Sequence, residues 1–304
     1  MQAELASLLS VKFDHLDGLF KEVACTPSPP NVLRNFRFYY VRIQDGVVRE
    51  KDVQRFLRSC ITPYCLSRKV TDGTIEPLDV ADLFLAAKGK FQSLGAGKRR
   101  GEPGEVLAYA LSEGALGAPR VIAKMGLKTN PQMPVHGADG VHIGSSDGRE
   151  FDIHFLESKL YARYDQAIDD AIASVRASLE KDEEGASAQD FEIDLVEEHL
   201  DVPEGELRDF LVKLLNPYKK ERDHLRYVHT CLIGFDVPEL GRRLDDDFEA
   251  AAMQLAEKCA ERMCQKIEDD ESLRDVRWTV FFVPFSSVND FRNGFLEMLG
   301  ASGV

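Results

Sequence analysis

Glu157, Ser158 and Lys159 close a run of alternating apolar residues, and Asp139 lies upstream across a turn, within GADGVHIGSSDGREFDIHFLESKLY at residues 137–161. Hydrolysing a phosphodiester calls for a hard cation that polarises the phosphoryl oxygen and acidifies a water, and hard cations take carboxylate oxygens as ligands. Asp139 and Glu157 supply such oxygens and are candidate ligands for Mg²⁺ or Mn²⁺. Side chains alternate along a strand with period two, so Lys159 shares the face of Glu157. Its ammonium can then stand beside the attacking water or the developing negative charge. The 16 lysines and 52 acidic residues of the chain would give about 2 to 3 acid-x-lysine triplets by chance, yet this is the only one in the sequence. A strand-end salt bridge would use the same residues; the aspartate-bearing hairpin in front of the triplet favours the chemical reading.

The elements that must position these groups are legible nearby. Phe151, Ile153 and Phe155 continue the face of Glu157 and Lys159, and Val141 and Ile143 continue that of Asp139, the alternation of half-buried strands. Ser145, Ser146, Asp147 and Gly148 signal a hairpin turn. Asp139 and Glu157 are equidistant from Gly148, so an odd-length connection centred there sets them opposite one another. A two-residue Asp147-Gly148 turn would oppose Asp139 to Leu156 instead, because a slip of one residue exchanges the faces. His142 and His154 fall on the face away from the carboxylates and read as packing or surface residues.

A second segment, KRRGEPGEVLAYAL at residues 98–111, begins basic and glycine-rich and then becomes helical, with Val106, Tyr109 and Ala110 on one face and Pro103 in the first turn. Glu105 lies near that helix start. It is a candidate third metal-site carboxylate, or an acid favoured there by the helix dipole. Val121, Ile122 and Ala123, with Lys124 and Lys128 after them, suggest a strand over 121–128. After the triplet, Leu160, Tyr164, Ala167, Ile168, Ala171, Ile172, Val175 and Leu179 form the apolar stripe of a long helix.

Helix with Glu105, strand, strand with Asp139, strand with Glu157 and Lys159, helix: this order resembles the PD-(D/E)xK nuclease superfamily, although Ala138 stands where the superfamily's name has proline. More narrowly, GEPGE at 101–105, GADGVH at 137–142, ESKLY at 157–161 and FFVPFSSVNDFRNGFLEML at 281–299 resemble the HamA nuclease subunits of Hachiman antiphage systems over most of the chain. That resemblance implies a restriction-endonuclease-like core and a metal-dependent deoxyribonuclease with Glu105, Asp139, Glu157 and Lys159 as catalytic positions. It also implies a separately encoded partner helicase, a superfamily 2 type subunit like HamB, that confines the nuclease until DNA triggers it. A non-catalytic nuclease-fold adaptor and a stand-alone restriction-type endonuclease are the alternatives.

Charge divides unevenly. Residues 1–180 carry 23 Lys+Arg and 23 Asp+Glu, whereas residues 181–304 carry 15 and 29, so the whole net charge of −14 lies in the last part. Phosphates are neutralised by Lys and Arg, which directs a DNA path along Lys98, Arg99, Arg100, Lys124, Lys128 and Lys159. The acidic part repels DNA and serves either solubility or the docking of a basic partner. The six cysteines form no CxxC pair and have no histidine spacing for zinc, so buried reduced thiols are expected. No apolar run approaches a membrane span and no basic start leads into an apolar stretch, so a cytoplasmic protein is the simplest expectation.

These readings give an α/β protein, a mixed sheet flanked by helices, with a smaller α+β region over residues 1–94 and a nuclease-like domain over 95–304 that ends in the acidic part. Gly95-Ala96-Gly97 is the expected boundary. Within the first region, residues 36–43 alternate as a strand whose aromatics beside Arg34, Arg37 and Arg42 face either a core or stacked bases. Helices are expected over about 50–60, 207–215, 248–267 and 288–299, and strands over 227–235 and 277–284. Oligomeric state, sequence preference and endo or exo mode are not written in the sequence.

Overall fold

Alternation over residues 34–41 and 225–236, and an almost wholly apolar run over 277–285, give strands, while three- and four-residue apolar spacing gives the helices between them. The computed structural model describes residues 1–27, 31–73, 78–93, 101–125, 137–145, 147–240 and 245–300. In chain order the elements begin with α1 (Gln2–Ser7), α2 (Phe13–Asp17), β1 (Phe20–Val23), β2 (Arg34–Val41), β3 (Ile43–Gln44), β4 (Val47–Val48) and α3 (Glu50–Cys65). They continue with α4 (Arg68–Thr71), α5 (Val80–Ser93), α6 (Glu102–Leu116), β5 (Gly140–Gly144), β6 (Phe151–Leu160), α7 (Tyr164–Leu179) and α8 (Ala188–Glu198). The last are α9 (Glu206–Leu215), a 3₁₀ turn (Lys220–His224), β7 (Leu225–Asp236), α10 (Asp245–Glu268), β8 (Arg277–Phe285) and α11 (Val288–Met298).

Six strands form one sheet in the order β1-β2-β8-β7-β6-β5. The inner four are mutually parallel, and β1 and β5 join antiparallel at the edges. The small β3–β4 hairpin turns through Asp45 (φ 52°) and Gly46 (φ 74°), the two positive φ angles of a tight hairpin turn.

Each face of the sheet buries one set of alternating residues. Leu156, Leu160, Leu232, Phe281 and Phe285 lie in one cluster with α3, α6 and α11. On the other face Phe38, Cys231, Ile233 and Phe282 pack with α7 and α10. That second face continues across β5 and β6, where Val141, Ile143, Ile153 and Phe155 lie in a third cluster with α8 and α9. Every residue of α6 from Glu102 to Gly114 is buried, so its glutamates are interior groups. Residues on both sides of position 94 contribute to this sheet and its core: β2 pairs with β8, and α3 and α5 share a cluster with α6. Among the described residues no helix is long and apolar enough to cross a membrane.

One expectation about the elements is overturned, and one open alternative is decided. The strand anticipated over 121–128 does not form: Arg120 makes an isolated bridge with His142, and Lys124 and Met125 are helical. Residues 119–121 still run beside β5, with Val121 N–H donating to the Val141 carbonyl and Ile143 N–H to the Pro119 carbonyl. Pro119 has no N–H to extend a ladder, which keeps the pairing to that short stretch; residues 126–128 lie outside the described set. The β2 aromatics face the core. Phe36, Phe38, Tyr39 and Tyr40 are buried, and Arg34, Arg37 and Arg42 pair with Glu268, Glu22 and Asp17, so they make no base-stacking surface. The expected glycine boundary at 95–97 lies outside the described residues.

Candidate active site

The β5–β6 register runs from Gly144↔Asp152 to Gly140↔Leu156. The connection between them is therefore centred on Gly148, the odd-length arrangement that opposes position 139 to position 157. The regular ladder stops there. Asp139 N–H donates to the Leu156 carbonyl at 2.6 Å, and the Asp139 carboxylate replaces the missing backbone partner of the next residue. Its Oδ2 accepts from Ser158 N–H at 2.7 Å and from Ser158 Oγ at 3.0 Å. Asp139 is thus fixed against the middle residue of the ESK triplet, at the point where β5 leaves β6.

Glu157 and Lys159 share the opposite face of β6, as period two requires, and form an ion pair of 2.6 Å. Both are about four-fifths covered, at 18 % and 20 % side-chain exposure. Burial pulls the Lys159 ammonium down, but the charges of Glu157 and Asp139 outweigh it and hold its pKa above the ordinary lysine value. Lys159 is therefore a cation through neutral pH, fitted to stabilise negative charge. A raised folded-state pKa stabilises the fold fully below the unfolded lysine value of about 10.4 and loses that contribution as pH rises through the folded value. Without metal, the stability difference between wild type and Lys159→Met is accordingly expected to stay flat across neutral pH and to close only in strong alkali. A gap that closed near neutrality in denaturation titrations would contradict a charged Lys159.

Glu105 approaches from the other face. It is 8 % exposed and accepts from the Tyr64 hydroxyl at 2.7 Å, while the same hydroxyl lies 3.3 Å from Glu102. Burial, then the charges of Glu105 and Glu102, push the Tyr64 phenol well above its ordinary pKa, so it remains a donor. Glu105 and Asp139 line one narrow cleft with Tyr64 and Lys124. Gly104 lets α6 come this close: a Cβ there would lie 3.0 Å from Leu160 Cγ and 3.2 Å from Ser158 Oγ. Gly104→Val is expected to push the helix off β6 and cost about 1–3 kcal/mol as overpacking. A chemical-denaturation midpoint like that of wild type would show that the contact is not tight.

The basic residues divide. Lys124 is 3 % exposed, pairs with Glu192 at 2.6 Å and donates to the Ala138 carbonyl. Its ammonium is not on a surface a duplex could touch in this arrangement; it ties α8 to the segment entering Asp139. Lys98, Arg99, Arg100 and Lys128 lie outside the described residues. His142 and His154 are buried, and burial lowers them to about 3 and about 4, so both are neutral rings, with His142 bonded to the Ala118 carbonyl and His154 to Thr230. All six cysteines are buried free thiols, and burial lifts Cys60 to about 12.

Three residues not singled out from sequence shape the site: Ser158, Tyr64 and Glu192. Ser158 occupies the variable position of the triplet, and Glu192 lies in the acidic last part of the chain. Neither carries a local signal, and Tyr64 looks like one more apolar position of α3.

The donor set near the ladder end consists of hard carboxylate oxygens, which suit Mg²⁺ or Mn²⁺ and not a thiophilic metal. Each carboxylate already has a protein partner: Ser158 for Asp139, Lys159 for Glu157 and Tyr64 for Glu105. Among the described residues no group of three or more His, Cys, Asp or Glu stands arranged around one cation position.

Fold and site together define an α/β protein with a mixed six-stranded sheet, whose carboxylate-lysine cluster lies at the C-terminal end of a parallel strand, the edge where open α/β sheets place ligands. The HamA family model matches residues 18–299. The chain belongs to the HamA family, which associates it with Hachiman antiphage defence. No curated protein matches the chain.

Proposed function

We propose that this protein is a Mg²⁺- or Mn²⁺-dependent DNA nuclease of the PD-(D/E)xK type that acts in antiphage defence beside a helicase subunit. The observation that carries the reading is the end of the β5–β6 ladder, where Asp139 grips Ser158 between Glu157 and Lys159 while α6 packs behind the same residue. Asp139 and Glu157, with Glu105 in support, would hold the cation; when bound, it supplies a polarised phosphoryl oxygen and a more acidic water. Lys159 contributes a permanent positive charge toward the scissile phosphate. Ser158 orients Asp139 through two hydrogen bonds, and the Tyr64 hydroxyl orients Glu105. Lys98, Arg99, Arg100 and Lys128 are the proposed phosphate contacts along the DNA path.

The test is cleavage of plasmid and linear DNA with and without Mg²⁺, comparing wild type with the Glu157→Ala/Lys159→Ala double variant. Metal-dependent cleavage that survives both substitutions would falsify this assignment. Co-expression with the helicase encoded beside it should yield a complex that survives mild salt, and clean separation would remove the partner from the proposal. A second reading, a nuclease-fold adaptor, is favoured by the internal partners that all three carboxylates already have. It calls for no cleavage by wild type under any divalent cation and partner binding unchanged by Glu157→Ala.

A further inference from the structure

A cavity of about 290 Å³ opens directly beside Glu157, between β6, β7, α7 and α8. It is near the lower end of the roughly 300–1,000 Å³ spanned by small-molecule pockets. Its walls combine three kinds of group. Phe155 and His229 lie with ring centroids 5.7 Å apart and planes inclined by 33°, making a largely apolar, aromatic floor. Ser174 on α7 lines the cavity, so a larger residue there would take up part of its volume. Gln189 on α8 lines the cavity, and its Oε1 is buried with no hydrogen bond from any described residue.

The charges select the class of occupant. Glu157 and Glu192 both border the cavity; Glu192 is paired with Lys124, whose ammonium is shared with the Ala138 carbonyl. Burial lowers His229 to about 4, so its ring is neutral and offers one donor and one acceptor. A phosphate would meet the two carboxylates that border the cavity. A flat neutral ring with hydrogen-bonding edges meets an aromatic floor, a neutral imidazole and a buried amide oxygen that has no donor among the described residues.

We infer that this cavity receives one unstacked nucleobase of the DNA next to the scissile phosphate, so that the site acts on single-stranded or unwound DNA. The inference rests on the nuclease reading for the position of the phosphate, and it goes further by naming the substrate's state. A paired base inside a duplex cannot reach the pocket, and extracting one costs a few kcal/mol, least where the strand is already unpaired. Stacking on an aromatic floor is tolerant of base identity, so little sequence preference is expected from this pocket.

The test uses the metal-free full-length protein in EDTA and short oligonucleotides carrying 2-aminopurine, either single-stranded or in a duplex, with affinity and fluorescence read together. Wild type is expected to change the probe's fluorescence in the single strand far more than in the duplex. Ser174→Phe, which takes up part of the cavity, should lower the ratio of single-strand to duplex affinity by at least about tenfold, in line with the roughly 1–3 kcal/mol that one stacked base contributes. Gln189→Ala, which removes only the acceptor, should lower the ratio several-fold and serves where Ser174→Phe fails to fold. Ratios equal to wild type in a folded variant would overturn the inference. The two readings fail separately: cleavage dependent on Glu157 and Lys159 with unchanged ratios rejects the pocket alone. Lost single-strand preference in a protein that never cleaves rejects the nuclease and leaves a base-binding pocket.

Discussion

Alanine in place of Lys159 is expected to slow metal-dependent DNA cleavage by about 10²–10³-fold, the loss typical when one preorganised charge-stabilising donor is removed. The ammonium is well placed for this. It sits on the face of Glu157, four-fifths covered, and is kept charged by Glu157 and Asp139. Lys159→Arg should recover little, because a planar fork does not replace a compact ammonium beside a carboxylate. Glu157→Gln should match the alanine variant in depth by removing a ligand charge while keeping the volume. The double variant should be scarcely worse than either single one, since groups that act as a unit are non-additive. The measurement is single-turnover cleavage of a labelled strand at saturating Mg²⁺, with melting curves to show that each variant is folded. A Lys159→Ala rate within threefold of wild type would remove the lysine from the chemistry.

The second large effect is on stability. Asp201, 6 % exposed, accepts the Arg68 backbone N–H at 2.9 and 3.2 Å and the Arg120 guanidinium at 2.6 Å. Arg120 also donates to the carbonyls of Tyr64 and Leu66, and Arg68 to those of Leu8, Arg120 and Asp201. Burial, then the neighbouring Arg120 charge, lowers the Arg68 pKa, and Asp201 opposes that shift. Asp201→Ala leaves the buried Arg120 and the largely covered Arg68 without this counter-charge and is expected to cost about 3–5 kcal/mol, as when one partner of a buried pair is removed. Asp201→Asn keeps the shape and some hydrogen bonds but not the charge, so its loss should be large though smaller. Urea denaturation measures both, and a loss below about 1 kcal/mol for the alanine variant would mean that the cluster relaxes or hydrates. Because Arg120 holds the Tyr64 carbonyl, the same variant should also loosen the hydroxyl that orients Glu105.

Much of the frame was readable in the residues. Period-two alternation set Glu157 and Lys159 on one face, while the turn residues left two hairpin registers open; the structure takes the one centred on Gly148, which opposes position 139 to position 157. The strands over 225–236 and 277–285 and the helix over 245–268 fall where periodicity and apolar runs put them, because these signals are local. The segment after Arg120 was misread for a local reason too: its apolar run satisfied a strand pattern, while Pro119 and the lack of a longer ladder partner denied it one.

Sequence alone therefore determined the main strands and long helices, the α/β class and the shared face of Glu157 and Lys159, all consequences of backbone periodicity over a few residues. Tertiary structure decided which charges are available. It buried Lys124 against Glu192 and turned Asp139 onto Ser158. It enclosed Glu105 under Tyr64 and opened the cavity beside Glu157 by laying α8 across β6. Burial and ion pairing join residues far apart in the chain, 81 positions for Arg120 and Asp201 and 234 for Arg34 and Glu268, and no pattern along the chain encodes the distance between them.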